Sequence, residues 1–191
     1  MRYLRSSLFL FLLLLLFTGL AYPLLTIVLA QWLFPTQANG SLIYRDDAVV
    51  GSSLIGQPFN RAGYFQGRPS ATSDAPYNAL ASGGSNLAAS NPVLDQQISE
   101  RATRWHQVVG NQQPIPTELV TASGSGLDPQ ISPEAARYQA LYVAQARGLS
   151  LQQIQRLIDR FTETSKPAFI GQPTVNVLLL NLALDKEKPL P

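Results

Sequence analysis

His106 is the one histidine in the 191 residues and cysteine is absent, so no multi-histidine metal centre and no thiolate site can be assembled. It stands beside Trp105 in a stretch with helical spacing, which suits a structural residue at or near the surface. Serines are plentiful, but no Gly-x-Ser-x-Gly elbow occurs, and no histidine–aspartate pair is set apart to activate a hydroxyl. A serine–lysine dyad would have to recruit Lys166, Lys186 or Lys188, all in loop or tail contexts that favour solvated charge. No glycine precedes a lysine, which excludes a phosphate-binding P-loop. Two runs remain, Ser82-Gly83-Gly84-Ser85 and Ser123-Gly124-Ser125-Gly126. Each has the composition of an anion-binding nest of backbone amides, and equally of a plain turn. Arg68, before Pro69, is one of few charges in its surroundings and suits a polar contact to a partner or an internal hydrogen bond.

The elements that would hold these residues begin with a membrane anchor. Leu8 to Phe34 carries no charge, and only Thr18, Thr26 and Gln31 are clearly polar. About 20 apolar residues cross a hydrocarbon core of roughly 30 Å, so this run spans it with some to spare. A signal peptide has a shorter apolar region ending in a small-x-small site, whereas Ala30-Gln31-Trp32 is a poor cleavage context. The helix is therefore expected to stay. Arg2 and Arg5 place residues 1–7 in the cytoplasm by the positive-inside rule, residues 8–34 across the inner membrane in a single pass, and residues 35–191 outside. Gly19 and Pro23 interrupt the span. Pro23 removes a backbone donor and predicts a kink, while Gly19 allows a neighbouring helix to approach, so both are candidate contacts to a membrane partner.

From Pro35 onward the chain has 12 basic and 12 acidic residues. A neutral domain has no electrostatic case for nucleic acid. Ser41–Tyr44 and Ala48–Ile55 read as short strands, and Gly56–Asn91 as a long, ordered, irregular stretch with a functional role. Asn91-Pro92 opens a helix that ends at Gly110 and Asn111; Ser132-Pro133 opens one stopped by Gly148; Ser150 caps a third. Pro116–Ala122 reads as a strand. Thr174–Leu184 reads as a helix, with a buried strand as its rival. The predicted fold class is α+β: one transmembrane helix followed by a single compact domain over about residues 38–185.

Three stretches together carry a resemblance. They are Gly63-Tyr64-Phe65-Gln66-Gly67-Arg68-Pro69-Ser70-Ala71-Thr72, then Tyr77-Asn78 with Ala81-Ser82-Gly83-Gly84-Ser85-Asn86-Leu87, and Val120-Thr121-Ala122-Ser123-Gly124-Ser125-Gly126-Leu127-Asp128. With Tyr22-Pro23-Leu24 and Asn181-Leu182-Ala183-Leu184-Asp185, the chain resembles the C-subunit family of Kdp potassium-transporting P-type ATPases along essentially its whole length. That resemblance implies a non-catalytic accessory subunit of a high-affinity potassium uptake complex, needed for assembly and acting as a catalytic chaperone that raises the pump's affinity for ATP. The implied partners are a channel-like potassium-conducting subunit, an ATP-hydrolysing pump subunit and a small single-helix subunit, together with membrane lipid. ATP is implied through the pump subunit, with no cofactor held tightly here. Tyr64, Phe65 and Arg68 are the candidate partner contacts in the outer domain. The residues agree that this chain is neither pump nor pore: Asp185-Lys186-Glu187 is not a phosphorylation motif, and one helix cannot supply a carbonyl filter. Since ATP is cytoplasmic and the domain is expected outside, the effect on nucleotide affinity is expected to pass through the anchor as a population shift. The competing classes are a membrane-anchored periplasmic peptidase and a solute-binding module.

Overall fold

The uncharged run from Leu8 follows two arginines, and the computed structural model, which describes residues 2–110, 113–165, 167 and 169–190, places both in one long helix. It comprises α1 (Arg2–Leu16), a π turn (Phe17–Ala21) and α2 (Tyr22–Leu33). None of the membrane window is buried by the chain itself, as suits a helix whose solvent is lipid. The predicted interruption is a widened turn. Pro23 has no N–H for the carbonyl four residues back, which is Gly19's, and the helix adjusts by letting the Tyr22 N–H reach five residues back to Phe17. Both threonines return their hydroxyls to the helix, Thr18 to Leu14 O at 2.7 Å and Thr26 to Pro23 O at 2.8 Å. After α2 come a short turn, α3 (Pro35–Ala38), and a hairpin of β1 (Leu42–Arg45) and β2 (Ala48–Ser52). Asp46 and Asp47, both at positive φ, make its two-residue turn. The chain divides into two compact units, Met1–Val50 and Gly51–Pro191, so β1 goes with the anchor's unit and the boundary falls within β2.

In the second unit the helices form where their local signals stand. Asn91 accepts from the Val93 N–H to start α4 (Pro92–Val109), Ser132 from Ala135 to start α5 (Pro133–Arg147), and Ser150 from Gln153 in a full capping box to start α6 (Leu151–Arg160). Gly110 and Gly148 close α4 and α5 in the left-handed conformation that glycine adopts without strain. Asn111 and Lys166, both singled out from the sequence, lie outside the described residues. β3 (Gln130–Ile131), β4 (Thr162–Glu163) and β5 (Thr174–Asn176) make a small antiparallel sheet in the order β3-β5-β4. Ile131 and Thr162 both pair with Val175. The last apolar segment is thus both of its rival readings: β5, then α7 (Val177–Glu187) capped by Asn176. α5 packs against α4, α6 and β5, and α7 against α6 and β5. Phe65, Ile131, Val143, Ile154, Ile158, Val175, Leu180 and Leu184 fill the space between. The domain is α+β.

One expectation fails. Pro116–Ala122 is not a strand but a 3-10 turn, Thr117–Leu119, continuing into loop. Leu119 and Val120 are consecutive and both buried, which an alternating half-buried strand does not permit. The turn is held from elsewhere: the Trp105 indole N–H donates to Leu119 O at 3.1 Å, and the Ser132 N–H donates to the Glu118 carboxylate at 2.9 Å.

Candidate functional site

The irregular stretch has no ladder of its own, so its backbone groups need partners elsewhere. Two buried side-chain amides provide them as strand neighbours would. Asn181, on α7, accepts from the Phe65 N–H and donates to Phe65 O, both at 2.9 Å. Gln139, on α5, accepts from the Gln66 N–H at 2.8 Å and donates to Gln66 O at 3.0 Å. Arg147, at the end of α5 and buried, donates to Gly63 O at 2.6 Å, to Lys188 O at 2.6 Å and to the Asp185 carboxylate at 2.8 Å. The Tyr64 hydroxyl donates to the same carboxylate at 3.0 Å, and its ring lies 4.7 Å under the Arg147 guanidinium. Three side chains from two helices thereby fix Gly63 to Gln66 as an irregular ribbon that leaves a turn at Gly63.

Beyond Gln66 the chain folds back on itself. Tyr77, at φ 59, donates its hydroxyl to Arg68 O at 2.6 Å and its N–H to Ser70 Oγ at 2.9 Å, and the Asn78 N–H donates to Thr72 Oγ1 at 3.1 Å. Burial, and then the Asp128 charge, push the Tyr77 phenol up to about 12, against a smaller opposing pull from Arg68. The two glycine–serine runs meet here. Gly83 donates its N–H to Ser125 O at 2.8 Å and Ser82 its hydroxyl to the same oxygen at 3.0 Å. The Gly83 amide is thus committed to the chain itself, as in a turn. A Cβ on Gly126, at φ 68, would sit 2.6 Å from Gly83 O, so the approach of the two runs requires glycine there.

Between this layer and α4 opens a cleft of about 220 Å³. Three arginines line it, Arg68, Arg101 and Arg104, with Phe59, Tyr77 and Trp105 among its walls. Arg68 lies 3.5 Å from Asp128 and donates to Ala122 O at 3.4 Å, while its Nε is buried without a hydrogen-bond partner. Arg101 donates to Val120 O at 2.9 Å, and Arg104 to Gln66 Oε1 at 3.0 Å. Burial lowers the Arg101 pKa from its ordinary value, with Glu100 opposing.

The residues singled out from the sequence fall in different settings. Gly19 lines a shallow apolar hollow with Leu12, Leu15, Leu16 and Leu20, and Pro23 starts the helix half beyond it. Tyr64 is half-buried with its hydroxyl engaged. Phe65, expected as a partner contact, is 0% exposed, because its ring is the part of the ribbon that fills the core. Arg68 reaches the cleft. His106 is partly buried on α4. Arg101 and Arg104 were missed by sequence reading, although their spacing from Trp105 on one helix is the signal that places all three at the same wall.

A family model described as "KdpC: K+-transporting ATPase, c chain" matches residues 4–186. A potassium-transporting ATPase KdpC subunit of Pectobacterium atrosepticum is 90% identical over 191 residues, covering 100% of both chains. Subunits of the same description from Erwinia tasmaniensis and Escherichia coli are 62% and 56% identical over 187 residues, each covering 97% of this chain and 98% of the relative.

Proposed function

The chain belongs to the KdpC family, the c chains of K+-transporting ATPases, and on that premise we propose that it is the anchored subunit which assembles the complex and raises the pump's affinity for ATP. It is a non-catalytic accessory subunit of a Kdp potassium-transporting ATPase with an N-terminal membrane helix. The observation that carries the finer reading is that helix. It is 31 residues long from Tyr3 to Leu33, none of its membrane window is buried by its own chain, and a π turn stands beside Gly19. An unsheltered span with a local irregularity and a glycine is suited to packing against other spans, and Gly19 with Pro23 forms the packing face. The partners are the channel-like potassium-conducting subunit, the P-type pump subunit and the small single-helix subunit.

In this reading the N-terminus is cytoplasmic and the domain from residue 35 lies outside, across the membrane from ATP. The nucleotide is held by the pump subunit, and this chain shifts the pump between states of different affinity through the membrane. Membranes containing the other subunits, with and without this chain, test the reading by their ATP hydrolysis, and purification in mild detergent tests assembly. The expected result is a several-fold lower ATP concentration for half-maximal hydrolysis when it is present, together with loss of complex for Gly19→Leu. Identical ATP dependence would remove the chaperone role. A reporter fused after Pro191 that works only in the cytoplasm would reverse the orientation.

A further inference from the structure

The arginine-lined cleft is built from residues that the anchor-based reading does not use. Arg68, Arg101 and Arg104 line about 220 Å³, and among the described residues no carboxylate is part of that lining. Their hydrogen bonds go mainly to neutral acceptors: Ala122 O for Arg68, Val120 O and Gln97 Oε1 for Arg101, Gln66 Oε1 for Arg104. Asp128 reaches Arg68 only at 3.5 Å, and the Arg68 Nε is buried and unpartnered. A guanidinium presents five donors in a fixed fork, and neutral carbonyls leave most of its charge uncompensated. The remaining lining sets Phe59, Tyr77, Trp105 and Leu119 beside the uncharged polar residues Gln57, Asn60, Gln66 and Ser70. The complementary ligand is therefore a small anionic group that accepts hydrogen bonds, of a size for one side chain. Arginine, tyrosine and tryptophan grouped in a recess are also the composition of the pockets that anchor protein–protein contacts.

We propose that this cleft receives the carboxylate of an acidic residue presented by another subunit of the complex. The proposal rests on the reading of the chain as a complex subunit and adds to it a docking point in the domain, separate from the membrane helix. Gln66 and Arg104 hold each other on the rim, and the ribbon that positions Gln66 is fixed from α5 and α7. The recess is therefore preformed and little conformational entropy is lost when it is filled.

The test uses the full-length chain in the purified complex. Arg101→Glu with Arg104→Glu places two negative charges at the wall, and the recovered complex at about 0.15 M salt should fall about tenfold or more. Arg104 is exposed and, among the described residues, bonds to the Gln66 side chain, so Arg104→Glu alone keeps the test open should the double variant fold poorly. A photo-crosslinker introduced as Arg104→benzoylphenylalanine should capture an Asp- or Glu-bearing segment of another subunit, and reversing that acid to Arg should restore recovery of the charge-reversed chain. Full recovery of complex with the charge-reversed chain, or adducts to phospholipid alone, would overturn the proposal. Failure of the unaltered chain to bring any partner with it would instead sink the subunit reading and take the proposal with it.

Discussion

Residues 53–91 and residues 92–187 pack into one unit, yet they acquire their order by opposite routes. The second region writes its boundaries locally. Each of α4, α5 and α6 begins at a side chain that accepts from a backbone N–H two or three residues on, and α4 and α5 end on a glycine in the left-handed conformation. The first region has no helix or strand after Ser52, and as far as Gln66 its backbone is fixed by side chains far away in sequence: Asn176 at Ser53 O, Arg147 at Gly63 O, Asn181 at Phe65 and Gln139 at Gln66. Loop and helix are thus equally ordered for different reasons. What separates them is where their hydrogen-bond partners lie along the chain.

The sharpest way to break that contrast is to remove Arg147. Its guanidinium holds Gly63, Lys188 and Asp185 together, and its side chain is fully buried in the ion pair. Arg147→Met removes the buried guanidinium from Asp185 and the donor it gives to two carbonyls, for an expected loss of about 3–5 kcal/mol. Hydrogen exchange should rise first between Gly63 and Gln66 and in the tail after α7, with the amides of α4 slowed as before. Equal loosening of α4 and the ribbon would mean that the two regions are one cooperative element. Asn181→Leu is the milder form of the same experiment. It keeps an apolar filler against Phe65 but strands a buried N–H and C=O, at about 2–3 kcal/mol. If Asn181→Leu costs no stability, the amide is dispensable and packing of the Phe65 ring alone seats the ribbon.

The same contrast decides what could be read in advance. The anchor, the starts of α4, α5 and α6 and the ordered irregular stretch were all legible, since they depend on composition or on neighbours within one turn. β3 and β4, at two residues each, carry no period to detect, and β5 hides inside an apolar segment that continues as α7. The Thr117–Leu119 turn was misread because its apolar pair answers to Trp105 and the core. The site divides likewise. Arg68 stands out as an isolated charge before a proline, whereas Arg101 and Arg104 carry no local mark, and only the packing of α4 brings them to the same cleft. Phe65 read as a contact because its motif is distinctive, and nothing local reveals that α5 and α7 close over it.

The smallest expected effect tests the local half of the comparison. Ser150 caps α6: its hydroxyl oxygen accepts from the Gln153 N–H at 3.2 Å, and Gln153 Oε1 accepts from the Ser150 N–H at 2.9 Å. Ser150→Ala removes the first of these and leaves one of the helix's initial amides to water, which costs about 1 kcal/mol. The site is exposed, so no buried group is orphaned and no cavity forms. The consequence should stay where the signal was written. Exchange should quicken at the first turn of α6, while Ile154, Leu157 and Ile158 keep the rest of the helix on the core. The ribbon from Gly63 to Gln66 depends on α5 and α7 and should not register the change at all. A rise in ribbon exchange in Ser150→Ala comparable to that in Asn181→Leu would show that helix capping and ribbon seating are coupled, and that the division between local and distant ordering drawn from the hydrogen bonds does not describe how this domain holds together.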